Sequence, residues 1–142
     1  AVVKNIESFI FAEELEYVTP FFTARQPFED TMVKLIGKSR IWGKGTNIGT
    51  AISTMREKYP LLLTSNTVVI IVSDTKTLEI DMAGDEISKL KGLVKDILWL
   101  NTIPQDEWKD LMSVQLFKRH SQMYECYTLA HLERIIRKQF LS

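Results

Sequence analysis

The run Thr67-Val68-Val69-Ile70-Ile71-Val72 limits what this chain can fold into more than any other segment. Its β-branched side chains favour extended backbone. Its apolar character is continuous, whereas a strand with one wet face alternates. Such a run belongs to a strand buried on both faces, as in a parallel sheet covered by helices. Ile97-Leu98-Trp99-Leu100 has the same character and reads as a second buried strand. Between them Ile87, Leu90, Leu93 and Val94 recur at helical spacing, which predicts a helix from about Gly84 to Val94. Strand, helix and parallel strand form the unit from which open α/β sheets are built.

The flanking segments extend that pattern. Glu7 to Ala12 and Glu16 to Phe22 are rich in aromatic and β-branched residues and read as a hairpin. Pro20 lacks a backbone donor, so the second of these strands is expected at an edge. Phe28 to Lys38 carries Met32, Val33, Leu35 and Ile36 at mostly helical spacing. Ile48, Ala51, Ile52, Met55 and Tyr59 mark another helix, with Thr46 or Asn47 as its N-cap and Pro60 as its stop. Pro104 begins a short helix bearing Trp108 and Leu111. Gln122 to Tyr127 reads as a last strand, and Thr128 caps a closing helix. The predicted architecture is α/β and Rossmann-like: an open, mostly parallel sheet with helices on both faces and one antiparallel edge strand. In such sheets ligands bind beyond the carboxyl ends of the strands.

At 142 residues the chain has the length of one domain. Eighteen Lys and Arg balance eighteen Asp and Glu, which removes the electrostatic argument for nucleic acid or an anionic membrane as partner. One cysteine, Cys126, excludes an intramolecular disulfide and a cysteine zinc cage. No apolar run approaches the roughly 20 residues that span a bilayer, and no signal peptide is visible. A soluble, cytoplasmic domain is the expectation.

Gly43-Lys44-Gly45-Thr46-Asn47-Ile48-Gly49 suggests a nucleotide loop but meets neither usual template. A phosphate loop needs Ser or Thr after its Gly-Lys, where Gly45 stands, and a dinucleotide fingerprint needs its third glycine where Ile48 stands. A turn with a helix cap accounts for the glycines, though not for Thr46 in particular. Asp74, at the end of the Thr67–Val72 strand, either caps the following loop or serves a ligand site. Thr46 and Asp74 together offer hard oxygen ligands of the type Mg²⁺ accepts alongside waters. His120 and His131 form no local motif with Cys126 or a serine, so no nucleophilic centre is predicted. His131 is expected on a solvated helix, and Cys126 as a core filler. Trp42, Trp99 and Trp108 read as core or partner-facing. Glu79, Asp81, Asp85 and Glu86 read as helix-start charges, and Arg134, Arg137 and Lys138 as a solvated face.

Five blocks in order carry a resemblance: Ser-Phe-Ile-Phe-Ala-Glu-Glu-Leu-Glu-Tyr-Val-Thr-Pro (8 to 20), Gly-Lys-Gly-Thr-Asn-Ile-Gly (43 to 49), Val-Val-Ile-Ile-Val-Ser-Asp (68 to 74), Ile-Leu-Trp-Leu-Asn-Thr-Ile-Pro (97 to 104) and Tyr-Glu-Cys-Tyr-Thr-Leu-Ala-His-Leu-Glu (124 to 133). Together they resemble the von Willebrand factor A (VWA) domain, in its CoxE-like branch. The resemblance implies a metal-ion-dependent adhesion site for Mg²⁺, built from an Asp-x-Ser-x-Ser first strand, a loop threonine and a third-loop aspartate. By motif match Thr46 is that threonine and Asp74 that aspartate. Asp-x-Ser-x-Ser is absent, since Ser8 and Ser53 have no Asp two residues earlier, and Thr75 stands where the family usually has glycine.

The resemblance therefore implies a single VWA-like domain over residues 1–142, truncated before its first strand. That strand would lie between the strands at Glu7–Ala12 and Thr67–Val72. Its loss leaves two rows of backbone groups unpaired, each costing about 1–3 kcal/mol where buried. The net stability of a domain is only about 5–15 kcal/mol. The expectation is a strand supplied by a neighbouring chain, a rearranged sheet, or a fragment that folds poorly alone. With the first-strand ligands missing, Mg²⁺ is expected to bind weakly or not at all. The function implied is non-enzymatic: an adaptor for a MoxR-type AAA+ ATPase in protein or metalloenzyme maturation. Two alternatives stay open, an α/β hydrolase or phosphotransferase using Asp74 with Thr46, and a structural fragment with a defunct metal site.

Overall fold

The computed structural model describes residues 3–22, 27–38 and 45–141. In chain order its elements are β1 (Phe9–Phe11), β2 (Leu15–Tyr17), α1 (Phe28–Lys38), α2 (Ile48–Lys58), β3 (Val68–Val72), α3 (Ile80–Lys91), β4 (Asp96–Asn101), α4 (Met112–Phe117), β5 (Gln122–Glu125) and α5 (Leu129–Phe140). Strands β3, β4 and β5 form a parallel sheet in that order, with Val72 beside Leu100 and Leu100 beside Tyr124. Strands β1 and β2 form a separate antiparallel pair. The α/β architecture expected from alternating strands and helices is present.

The period-2 alternation of a strand decides which side chains meet which helices. Ile71, Ile97 and Trp99 face Ile48 and Ile52 of α2 and Ala83, Ile87 and Leu90 of α3 in one buried cluster, and Phe11 of the hairpin packs against it. Leu98 and Leu100 are buried on the opposite face. There α5 lies against Tyr124: Gln139 Nε2 donates to its hydroxyl (2.8 Å), and the Lys138 ammonium sits 5.6 Å from its ring centre. Strand β4 is thus covered on both sides, as its continuous apolar sequence requires.

Strand β3 is not. Ile70 is 48% exposed and Val72 59%, so the face opposite the core lies open. The expectation of burial on both faces holds for β4 and fails for β3, because the second face of β3 has no helix over it among the described residues. The hairpin is also shorter than expected. Pro20 lies in a 3-10 turn over Thr19–Phe22 rather than in an edge strand. Helix α3 begins at Ile80, not near Gly84, and α4 is an element the sequence did not disclose.

Helices α2 and α3 cross closely at Gly49. A Cβ there would lie 3.1–3.3 Å from Ala83 N, Ala83 Cα and Met82 C, all main chain. The same pair is tied by a charge contact. Arg56 Nε and Nη2 both donate to Glu86 Oε2, at 2.9 and 2.6 Å. Glu86 is therefore a buried ion-pair partner rather than a helix-start charge.

Gly49→Ala is expected to cost about 1–3 kcal/mol, because backbone must move to admit the methyl group; the unfolding midpoint in urea reads this directly. Glu86→Gln is expected to cost about 1–3 kcal/mol. That is less than for a fully buried pair, because the Arg56 side chain keeps 24% exposure. Removing Arg56 and Glu86 together, as Arg56→Met with Glu86→Leu, should recover part of that loss in the same assay.

Candidate metal-ion and partner site

Both implied ligands stand at the carboxyl end of the parallel sheet. Thr46 immediately precedes Asn47, the N-cap of α2, whose Oδ1 accepts from Thr50 N at 3.0 Å. Asp74 lies two residues beyond β3. The loop from Ser73 to Glu79 is pinned to its surroundings at three places, and these bonds bring the two segments together.

The first is the exit from β3, where Ser73 N donates to Leu100 O (3.2 Å) and the Trp99 indole donates to Ser73 O (3.1 Å). The second is Thr75, fully buried, whose hydroxyl shares a 2.8 Å hydrogen bond with Ser113 Oγ in α4. The third is the start of α2. Leu78 N donates to Thr46 O (3.0 Å), Ile48 N to Thr77 Oγ1 (2.8 Å), and Asn47 Nδ2 to Glu79 Oε2 (3.2 Å). The hairpin joins the same cluster, since Asn47 N donates to Ala12 O at 2.8 Å.

Thr75 and Glu79 both have left-handed backbone, with φ of 69° and 51°. For a β-branched residue this is a true outlier, costing about 1–2 kcal/mol. Where the resemblance implies glycine, threonine adopts the conformation glycine would reach freely. Asp74 Oδ1 accepts from Lys76 N at 2.9 Å, so the loop-capping reading of this aspartate is realised.

One hydroxyl and one carboxylate are hard oxygen donors, right in kind for Mg²⁺. They are short in number: among the described residues no group of three or more His, Cys, Asp or Glu could hold a metal ion. These residues alone do not make a complete metal site.

The other candidates resolve into structure. Trp42, Gly43 and Lys44 lie outside the described residues. Gly49 serves helix packing, and the amides of Ile48 and Thr50 are bonded within the protein rather than turned to a phosphate. Trp99 and Trp108 are buried. His131 is half-buried rather than solvated. Its Nδ1 accepts from Tyr127 N at 3.3 Å, and Nε2 lies 3.8 Å from Glu125 Oε1. Cys126 is half-buried, and burial pushes its thiol pKa up, which disfavours the nucleophilic thiolate. Arg137 pairs with Glu133 on the solvated face of α5. The contributions of Thr75, Thr77 and Ser113 went unread in the sequence, where nothing links a serine to a threonine 38 residues away.

Thr75→Val is expected to destabilise the fold by about 1–3 kcal/mol, because it leaves the buried Ser113 hydroxyl unpaired. Adding Ser113→Ala should restore part of the loss, and a double-mutant cycle by urea unfolding measures the coupling. Cys126 should react with iodoacetamide more slowly in the folded chain than in the same chain under denaturant.

No helix among the described residues is long and apolar enough to cross a membrane. Comparison with curated proteins returns no match, and neither does comparison with solved structures. A family model does match: that of the VWA domain containing CoxE-like protein aligns with residues 1–134, nearly the whole chain and every block quoted above. With its parallel sheet, its flanking helices and its loops gathered at the strand ends, the chain belongs to the CoxE-like VWA family.

Proposed function

We propose that this chain is a cytoplasmic, non-enzymatic protein-interaction module, an adaptor for a MoxR-type AAA+ ATPase in protein or metalloenzyme maturation. The observation that carries the reading is the clasp between the Ser73–Glu79 loop and the start of α2. It ties the loop that bears Asp74 to the turn that bears Thr46, beyond the carboxyl end of β3, and open α/β sheets meet their ligands at that end of their strands. Family membership supports an interaction role there.

Thr46 and Asp74 are the residues that would contribute to a Mg²⁺ ion here. Bound Mg²⁺ would supply an incompletely neutralised hard cation attractive to a partner carboxylate. The chain's own contribution is to hold the Asp74 carboxylate by the Lys76 amide and to fix position 46 through its main-chain carbonyl.

The test is co-precipitation of the purified chain with a purified MoxR-type AAA+ ATPase. The wild type should be retained, and Asp74→Ala should lose retention with an unchanged thermal unfolding curve. Equal retention of both proteins would remove Asp74 from the interface, and no retention of either would remove the ATPase. Calorimetric titration of the chain with Mg²⁺ should show no saturable binding at micromolar concentrations. Tight binding would mean that further ligands complete the site.

A further inference from the structure

We propose that the aromatic cluster where the hairpin meets the end of α2 is a docking site for an arginine side chain of a protein partner, held by the rings and by the Glu7 carboxylate. The proposal goes beyond the Thr46–Asp74 reading and does not depend on it.

The register of the hairpin builds the cluster. Phe9 pairs with Tyr17 and Phe11 with Leu15, so these four side chains share one face of the pair. Phe11 packs against the core that Ile48 and Ile52 of α2 help to form. At the other end of that face both hairpin rings meet Tyr59, the residue that closes α2. The Tyr59 ring centre lies 4.9 Å from that of Phe9, edge to face, and 5.9 Å from that of Tyr17, with the planes only 23° apart. Phe9 and Tyr17 meet edge to face at 5.3 Å. Glu7 completes the group, since its Oε2 accepts from the Tyr17 hydroxyl at 2.5 Å and from the Thr19 hydroxyl at 3.0 Å. The length of α2 keeps this cluster away from Thr46, because its 11 residues span about 16 Å.

The rings anchor the hairpin to α2, a role that aliphatic side chains would fill as well. What the rings add is a negative π-face beside a fixed carboxylate, and Tyr17 remains 37% exposed. An aromatic face attracts a cation through its quadrupole. A carboxylate held by two hydroxyls is oriented before a ligand arrives, which lowers the cost of binding. A carboxylate has about four acceptor sites, and the two hydroxyls take two of them. Ring and carboxylate are one hydrogen bond apart, a spacing that a single guanidinium covers by stacking on the ring and donating to the oxygen. Arginine suits this arrangement better than lysine, because its planar fork does both at once and an ammonium is a compact point charge. The surrounding charge favours the same ligand. Residues 7–22 hold four glutamates, Glu7, Glu13, Glu14 and Glu16, and no lysine or arginine. The zero net charge of the chain thus conceals a negative hairpin, complementary to a basic segment.

The test uses the whole chain and a fluorescein-labelled peptide of alternating glycine and arginine, with two controls that carry lysine or citrulline in place of arginine. Fluorescence anisotropy measures Kd, and aromatic NMR resonances locate the site. The arginine peptide should bind saturably and shift the ring resonances of Phe9, Tyr17 and Tyr59. The lysine peptide should bind at least about threefold more weakly, and the citrulline peptide should not bind. Glu7→Gln and Tyr17→Leu should each weaken the arginine peptide by about three- to tenfold. Glu7→Gln keeps the shape of the side chain, so it decides the matter if thermal unfolding shows that Tyr17→Leu disturbs the hairpin. Asp110→Asn, at an exposed acid elsewhere on the chain, should leave binding unchanged. So should Asp74→Ala, which separates this site from the metal-ion reading. Equal binding of the lysine or citrulline peptide would overturn the proposal. An equal loss with Glu7→Gln and Asp110→Asn, or ring resonances unmoved at saturation, would do the same.

Discussion

Strand β4 is the member on which the other elements depend. It is hydrogen-bonded to β3 on one side and β5 on the other, and both of its faces are buried. At its centre Trp99 is fully buried and stacks on Phe117 with ring centres 5.2 Å apart. Truncating an aromatic in such a position typically removes about 3–5 kcal/mol, a large share of the roughly 5–15 kcal/mol that a domain possesses. The same side chain also has a directional role, since its indole N–H donates to Ser73 O and fixes the point at which β3 gives way to loop. At the end of β4, Asn101 Oδ1 accepts from Ile103 N, and Asn101 O from Cys126 N. One buried strand thus sets where both neighbouring strands stop.

What the sequence disclosed and what it concealed divide along the range of the interactions involved. The strands at Val68–Val72 and Asp96–Asn101, the helix from Ile48, and Thr128 as a cap were legible because each is declared by residues close in sequence. Local composition says what a strand can tolerate around it, not what is placed over it, so the open face of β3 could not be read from its apolar run. Glu86 shows the same limit. In sequence it belongs to an acidic cluster, but its role depends on Arg56 arriving from another helix. For the candidate site, Thr46 and Asp74 were found by motif resemblance. The bonds that join their loops run through Thr77, Leu78 and Glu79, which carry no pattern of their own.

The loop itself carries a cost that its bonds must offset. Left-handed backbone at Thr75 and Glu79 costs about 1–2 kcal/mol at each position. Glycine at position 75 would avoid this but would have no side chain for Ser113. With threonine, the left-handed turn is coupled to a buried hydroxyl pair, and breaking that pair leaves two buried polar groups unsatisfied at about 1–3 kcal/mol each. The loop's shape is therefore conditional on α4 remaining where Ser113 can meet it. A glycine loop would keep more of its freedom in the folded chain, whereas this one gives up that freedom when the chain folds. Asp74 lies between these fixed points, with its Oδ1 accepting from the Lys76 amide.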